Sequence, residues 1–478
     1  MPHGYAFVRL APRFPAWDWG TKYMTDLPVA TSLFSDRARV QLLLWRTGFG
    51  ATPAQVDAAS DRARQNGYAA VVDDVLAFPD PPAPPPLPVW PSVQPTAFGA
   101  NEAREYQRAR LAFQTLSNDA RSGGITMLTR WWADRLRTSA APLQENLTLF
   151  WHDHFATALD KVDRPLWMLN QNQLFRAKGA GKFVDLLTTA AKDTAMLVWL
   201  DGTSNVKGHP NENWAREVME LFTLGIGNYT EADVREAARA CTGWTVNYSS
   251  TPVGAVSFVQ SRFDDKPKTV LGQTGNFNMD DFSRLLAAHP ETAKRVSRKL
   301  FAWFVSDDPT EAELTPMLDA WKATDGDIRA VLRALFLSDA FTPARATRAY
   351  IKHPVAWTVG TARALEAPMA PESLLPMFEN QGMRLFFPPT VGGWTSGLGW
   401  ISPTNQVLRF NLAGQIVAKS PLLAGRADSA FLTQIADRLG GLPLSADLRA
   451  MLLVLGASDD GKKAVTQVLL ASPAYQAR

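Results

Sequence analysis

A single cysteine, Cys241, stands in a chain of 478 residues. One thiol excludes an intramolecular disulfide, a CxxC redox pair and a zinc site built from cysteines. No apolar run reaches the roughly eighteen residues that a membrane-spanning helix needs. Charge of one sign is scarce as well: 49 Lys and Arg against 46 Asp and Glu leave a net charge of +3, and no basic block occurs. Neither nucleic acid nor an anionic membrane is therefore favoured as the main partner. GxxxxGK[ST], GxGxxG after a strand and GxSxG are all missing, which argues against a P-loop ATPase, a Rossmann dehydrogenase and an α/β-hydrolase. Residues 1–20 lack an apolar h-region and a small-residue cleavage site, so the residues by themselves predict a cytoplasmic location.

What the chain does have is 46% apolar and 20% charged residues, the balance of a globular protein, and enough length to bury a large core. Helical periodicity dominates, and the expected class is mainly α, a multi-helical globular array with a small β-hairpin or three-stranded insertion around residues 244–271. We divide the chain into an N-terminal extension (1–34), a helical segment (35–77), a proline-rich connector or strap (78–100) and a main helical domain (101–478) carrying the β insertion at 244–275. Thr52 with Pro53 opens one helix, and Thr230 followed by Asp233 matches a capping box that opens another. Gly123 and Gly124 are expected to split the long amphipathic stretch over 101–137. WTVNY, AVSFV and KTVL supply the strands, and helices resume at Met279, Pro290, Glu311, Asp327, Ile351 and Pro403.

Chemistry-bearing residues concentrate in two segments. PNENWAREVMELFTLGIGNYTEADVREAARACTGW (210–244) packs acids, amides, arginines and aromatics onto two short helices. With Asn211 as N-cap, Trp214, Val218 and Leu221 fall on a core stripe, and Asn213, Glu217 and Glu220 fall on a neighbouring one. Two carboxylates one turn apart repel unless a cation, a shared proton or an arginine separates them, and Arg216 and Arg239 are the arginines at hand. That pattern fits a buried ion-pair network, acid/base or metal chemistry, or a solvated face. QENLTLFWHDHF (144–155) brings His152 and His154 within two positions. In a helix these rings point about 200° apart and cannot share an ion; in an extended segment they would converge, and with Glu217 they would suit zinc, iron or manganese. The helix is the favoured reading, with one histidine acting as proton donor or acceptor, or both packed in the core. Trp394 and Trp400, in a glycine-rich loop, fit either stacking on a sugar ring or packing.

These segments, together with LLLWRTGFGATPAQV, HPETAKRVSRKLFAWFVSDDP, PPTVGGWTSGLGWISPTNQVLRFNLA and LLASPAYQ, resemble the bacterial family called domain of unknown function 1800, from about residue 32 to the end. The resemblance implies no settled activity. It implies a frequent neighbour, domain of unknown function 1501, as a candidate partner, and export by a twin-arginine type leader in many members. Where relatives commonly read HNHF this chain has HDHF, and Asp153 adds a charge; where the family often has a histidine before the aspartate, this chain reads FDDKP.

The expectation taken to the structure is one pocket built from the His152 segment, the Asn211 helix and the Trp394 loop. There Glu217 would be base or ligand, His152 the proton shuttle, His154 and Glu220 further catalytic groups, Arg216 a charge clamp and Asn213 an orienting group, with Arg239, Trp394 and Trp400 holding substrate. The expected activity is hydrolase- or lyase-like acid/base chemistry, with or without a divalent transition metal, on a polar substrate such as a cell-envelope glycan. The alternative is a non-catalytic assembly or export partner.

Overall fold

Helix boundaries in the computed structural model follow capping chemistry. It describes residues 36–79, 83–88, 103–248, 254–346 and 350–477; the extension over 1–34 and most of the 78–100 connector lie outside the described residues. α1 (Asp36–Gly48) leads through Gly50, at φ 92°, to α2 (Pro53–Asn66). Thr52 with Pro53 opens α2, as the sequence predicts, and Thr52 and Gln55 cap it reciprocally. α3 (Tyr68–Leu76) follows, and residues 83–88 then run without regular structure, with Leu87 packed on the core.

α4 (Ala103–Thr138) is one unbroken helix, not the two expected. Two glycines cost a helix interior about 1 kcal/mol each relative to alanine, but here they form a notch that neighbours fill. A Cβ on Gly124 would stand 2.9 Å from Pro165, and one on Gly123 would stand 3.5 Å from Pro88.

α5 (Pro142–His154) carries the histidine motif, and Leu143 to His152 are all buried. A helix buried all round belongs between layers. Leu147, Phe150 and Trp151 join one apolar cluster, which also takes in the helices of residues 183–346, while Leu149 joins a second built largely from residues 355–475. Trp303, from the helix Pro290–Phe304, packs against both clusters.

The β insertion differs from expectation in its pairing. β1 (Trp244–Val246) pairs antiparallel with β2 (Val256–Phe258), but β3 (Lys268–Val270) pairs with β4 (Gln273–Gly275), a strand the sequence pattern did not mark. Leu271 and Gly272, at φ 51° and 74°, make a two-residue turn with both residues left-handed. The result, among the described residues, is two separate two-stranded ribbons in place of a single hairpin or three-stranded flap. Helices resume at Met279, Pro290 and Glu311 as expected, Asp327 caps Ile328–Leu337, and Pro403 opens Pro403–Val417, the first of the helices that run to the C-terminal end. The helix expected from Ile351 begins at Pro354, where His353 caps it by accepting the Ala356 N–H. No helix among the described residues is long and apolar enough to cross a membrane.

Candidate active site

α5 presents three stripes, and each meets a different environment. Glu145, Thr148 and His152 face α4 and the helix Pro165–Lys178. Glu145 pairs with Arg176 at 2.8 Å and with Arg135 at 3.1 Å. Arg176 also donates to Asn172 Oδ1 at 2.7 Å, so the Asn172 amide N–H is left to donate to His152 Nε2 at 3.0 Å. The His152 ring lies among Trp132, Phe175 and Phe386. Burial, with the Arg176 charge adding to it, pushes its pKa down to about 3. His152 is a satisfied core histidine, uncharged at neutral pH.

The second stripe contains Leu147, Trp151 and His154. His154 is also buried and donates from Nε2 to the backbone carbonyl of Phe222 at 3.0 Å. Burial, then the charges of Lys299 and Arg295, hold it well below the ordinary histidine value. The two motif segments therefore do meet, but through this imidazole-to-carbonyl bond.

The helix after Pro210 accounts for that carbonyl. It runs as an α-helix only over Asn213–Glu217 and widens to a π-helix over Val218–Thr223. Asn211 acts two residues before it, accepting the Asn213 N–H at 2.9 Å. The wider winding shifts the faces, so that Met219 and Phe222 are buried and Leu221 is only partly so. Carbonyls at a helix end lack intrahelical donors, and His154 supplies one for Phe222.

The remaining polar groups of this region are mostly paired near the surface. Asn213 is exposed and donates to Asp201 at 3.2 Å. Arg216 bridges Glu212 and Glu231, and Arg239 bridges Glu236 and Asp264. Glu220 accepts the Tyr229 hydroxyl at 3.0 Å. Glu217 is half-buried, and burial followed by the Glu220 charge raises its carboxyl above the usual range, with Arg216 opposing. The two imidazoles, held by Asn172 and by a carbonyl, take neither carboxylate as a hydrogen-bond partner. Among the described residues no three His, Cys, Asp or Glu side chains are grouped as a metal ion would need.

The third stripe, Asn146, Phe150 and Asp153 at i, i+4 and i+7, leads to a cavity. Asn146 accepts the Trp303 indole N–H at 2.8 Å. Phe150 and Asp153 line a hollow of about 190 Å³ together with Lys299, Trp303, Asp307, Tyr350, His353, Trp394 and Trp400. The sequence singled out Trp394 and Trp400, and it flagged Asp153 only as a departure from relatives. Lys299 and His353 carried no signal beyond their places, one turn before Trp303 and one residue before a helix-opening proline. Glu217, Glu220, His152 and His154 do not line this cavity.

The electrostatics of the hollow are unusual. Asp153 is largely enclosed, and burial pushes its carboxyl up to about 6, opposed by the Lys299 charge and the Trp394 backbone N–H. Burial pushes Lys299 down to about 8, opposed by Asp153 and reinforced by Arg295. The ammonium has no hydrogen bond or ion pair among the described residues, and the side chain remains partly accessible. His353, stacked on Trp303, accepts at Nδ1, which places its proton on Nε2, and burial lowers its pKa to about 3. Asp307, at the exposed rim, is raised by burial alone.

The loop over 392–400 closes the hollow because of its glycines. Trp394 donates its backbone N–H to Asp153 Oδ1 at 2.7 Å. Gly393, at φ 95°, lies so close that a Cβ would strike the Asp153 carboxylate, and a Cβ on Gly397 would strike that of Asp307. An enclosed acid, an unpaired amine and indole walls in one small cavity suit proton transfer on a bound polar ring.

No curated protein and no solved structure matches the chain. A family model, described as protein of unknown function (DUF1800), matches residues 42–477, the segment that carries both apolar clusters and the cavity, and the chain belongs to that family.

Proposed function

We propose that the tryptophan-walled cavity is the catalytic pocket of an acid/base enzyme, a hydrolase or lyase acting on a polar substrate such as a cell-envelope glycan. The observation that carries this reading is Asp153 and Lys299, opposite in charge and largely enclosed, lining one hollow without bonding to each other. Burying such groups unpaired costs stability, and a site that exchanges protons with substrate gives that cost a use. Trp303 lines the cavity with Trp394 and Trp400, which are 6% and 3% exposed, so the apolar surface they give a sugar ring is the part that faces the hollow. The test is release of reducing ends from cell-envelope polysaccharide. Asp153→Asn should lower kcat by about 10²- to 10⁴-fold, and undiminished turnover would sink the reading.

A second reading, assembly with a partner such as a domain of unknown function 1501 protein, is supported by apolar side chains left at the surface. Leu398 is 75% exposed and Val407 65%, with Ile401 and Phe410 nearby in sequence. Replacing Leu398 and Val407 by Ser separates the two, since a partner complex would be lost while turnover persisted.

A further inference from the structure

Lys299 projects from the helix Pro290–Phe304 one turn before Trp303, into a cavity whose other walls include Phe150, Met383, Trp394 and Trp400. An ammonium in a cavity with aromatic walls, with no protein acceptor bonded to it, is partly desolvated and keeps only the water that the cavity admits. A structural lysine in such a place would be expected to reach a carboxylate or carbonyl, and Asp153 lines the same hollow. Asp153 instead gives Oδ1 to the Trp394 backbone. Its other oxygen takes no hydrogen bond from the described residues, so amine and acid both stay available to a third group between them. Amines that serve as nucleophiles toward carbonyl compounds occupy this kind of setting, because only the unprotonated form attacks.

We infer that Lys299 is an imine-forming nucleophile and that the pocket takes an aldehyde or ketone, which for a glycan substrate is the open-chain form of a reducing sugar. This rests on the catalytic reading of the cavity. The Nζ lone pair forms a bond to the carbonyl carbon, and the carbonyl oxygen becomes the hydroxyl of a carbinolamine after proton transfer from nitrogen. Asp153, in its protonated form, then gives its proton to that hydroxyl, the C–O bond breaks, and water leaves. The products are a protonated imine on Lys299 and the Asp153 carboxylate beside it, so no oxidant or reductant is needed. The lowered pKa of Lys299 and the raised pKa of Asp153 supply both reactive forms near neutral pH.

The test is reductive trapping on the full chain with glyceraldehyde and sodium cyanoborohydride, the adducts being located by peptide mass spectrometry. Lys299 should be labelled about tenfold or more faster than exposed Lys322 and Lys419. Asp153→Asn should slow trapping at Lys299 by about tenfold while leaving the two surface lysines unchanged. Labelling of Lys299 at or below the rate of Lys322 and Lys419 would overturn the inference. The wild-type comparison is internal, so it stands even where Lys299→Arg fails to fold. Where that variant does fold, full glycan turnover by it, with turnover still lost in Asp153→Asn, overturns imine formation and spares the acid/base reading. Undiminished turnover by Asp153→Asn overturns the acid/base reading, whatever the trapping result.

Discussion

Trp394 donates its backbone N–H to Asp153 at 2.7 Å across 241 positions of sequence, and the residue before it, Gly393, has no space for a side chain. Alanine at 393 would hold a left-handed backbone and push its methyl into the Asp153 carboxylate. Gly393→Ala should destabilise the chain by about 2 kcal/mol or more, read as a lower urea midpoint with unchanged slope. Trapping at Lys299 should fall with it, because the loop that closes the cavity is displaced.

Activity should follow a bell-shaped pH dependence, rising through about 6 and falling past about 8, the values to which burial brings Asp153 and Lys299. Either assignment of the proton, carboxylate with ammonium or carboxylic acid with amine, gives the same bell, since both products of fractions peak between the two values. Asp153→Asn separates the two assignments in whatever turnover survives: carboxylate with ammonium loses the acidic limb, whereas carboxylic acid with amine, the forms that imine formation uses, loses the basic limb and leaves activity rising through about 8. A bell that keeps both limbs, near 6 and near 8, in this variant would assign the limb near 6 to another group.

Glu145→Gln should be among the most damaging single changes outside the cavity. Glu145 and Arg176 have no exposed side-chain surface and pair at 2.8 Å, and removing one charge leaves the other buried and uncompensated. The expected loss is about 3–5 kcal/mol in chemical denaturation. Lys299 should still trap glyceraldehyde at its ordinary rate in the molecules that remain folded. A loss below about 1 kcal/mol would mean that water or rearrangement satisfies Arg176.

Asp193 gives a stability switch of known sign. It caps the helix Thr194–Trp199 by accepting the Met196 N–H, and burial pushes its carboxyl up to about 7 from 3.8, opposed by that bond and by Gln171. The folded chain thus holds a proton that the unfolded chain has already released. Its contribution is full below the unfolded value and is lost as pH rises towards 7. Asp193→Asn keeps a capping oxygen without the ionisation, so relative to this variant the wild type should lose up to about 4 kcal/mol between pH 4 and 7. Thermal unfolding of both across that range reads the difference, and a constant gap would show that Asp193 titrates normally.

The histidine motif shows how much of the site sequence could convey. Helical spacing alone separates His152 from His154, and the structure places their rings on different partners, Asn172 and the Phe222 carbonyl. It does not reveal that the third stripe, ending at Asp153, is the one facing open space. Nothing in a helix's own periodicity says which of three buried stripes meets a void, because that depends on the shapes of residues such as Trp303 and Gly393 arriving from far along the chain. The Asn211 segment was misleading for a related reason. Its stripes assume a constant 3.6-residue turn, and the π-helical winding over Val218–Thr223 breaks that assumption.

Local chemistry, by contrast, was sufficient for the elements themselves. The caps at Thr52 and Thr230 and the proline-led starts at Pro290 and Pro403 are satisfied by residues within a turn, so four or five letters of sequence specify each one. Even the β insertion was placed, though β4 was missed because Gln273–Gly275 has no apolar alternation and is held by the turn at Leu271 and Gly272. What only the folded chain decided is where charge is left unpaired. Whether an ion pair forms depends on the separation of groups far apart in sequence, as with Lys299 and Asp153, which line one cavity without pairing, and that separation is set by how whole helices and the 392–400 loop pack against one another.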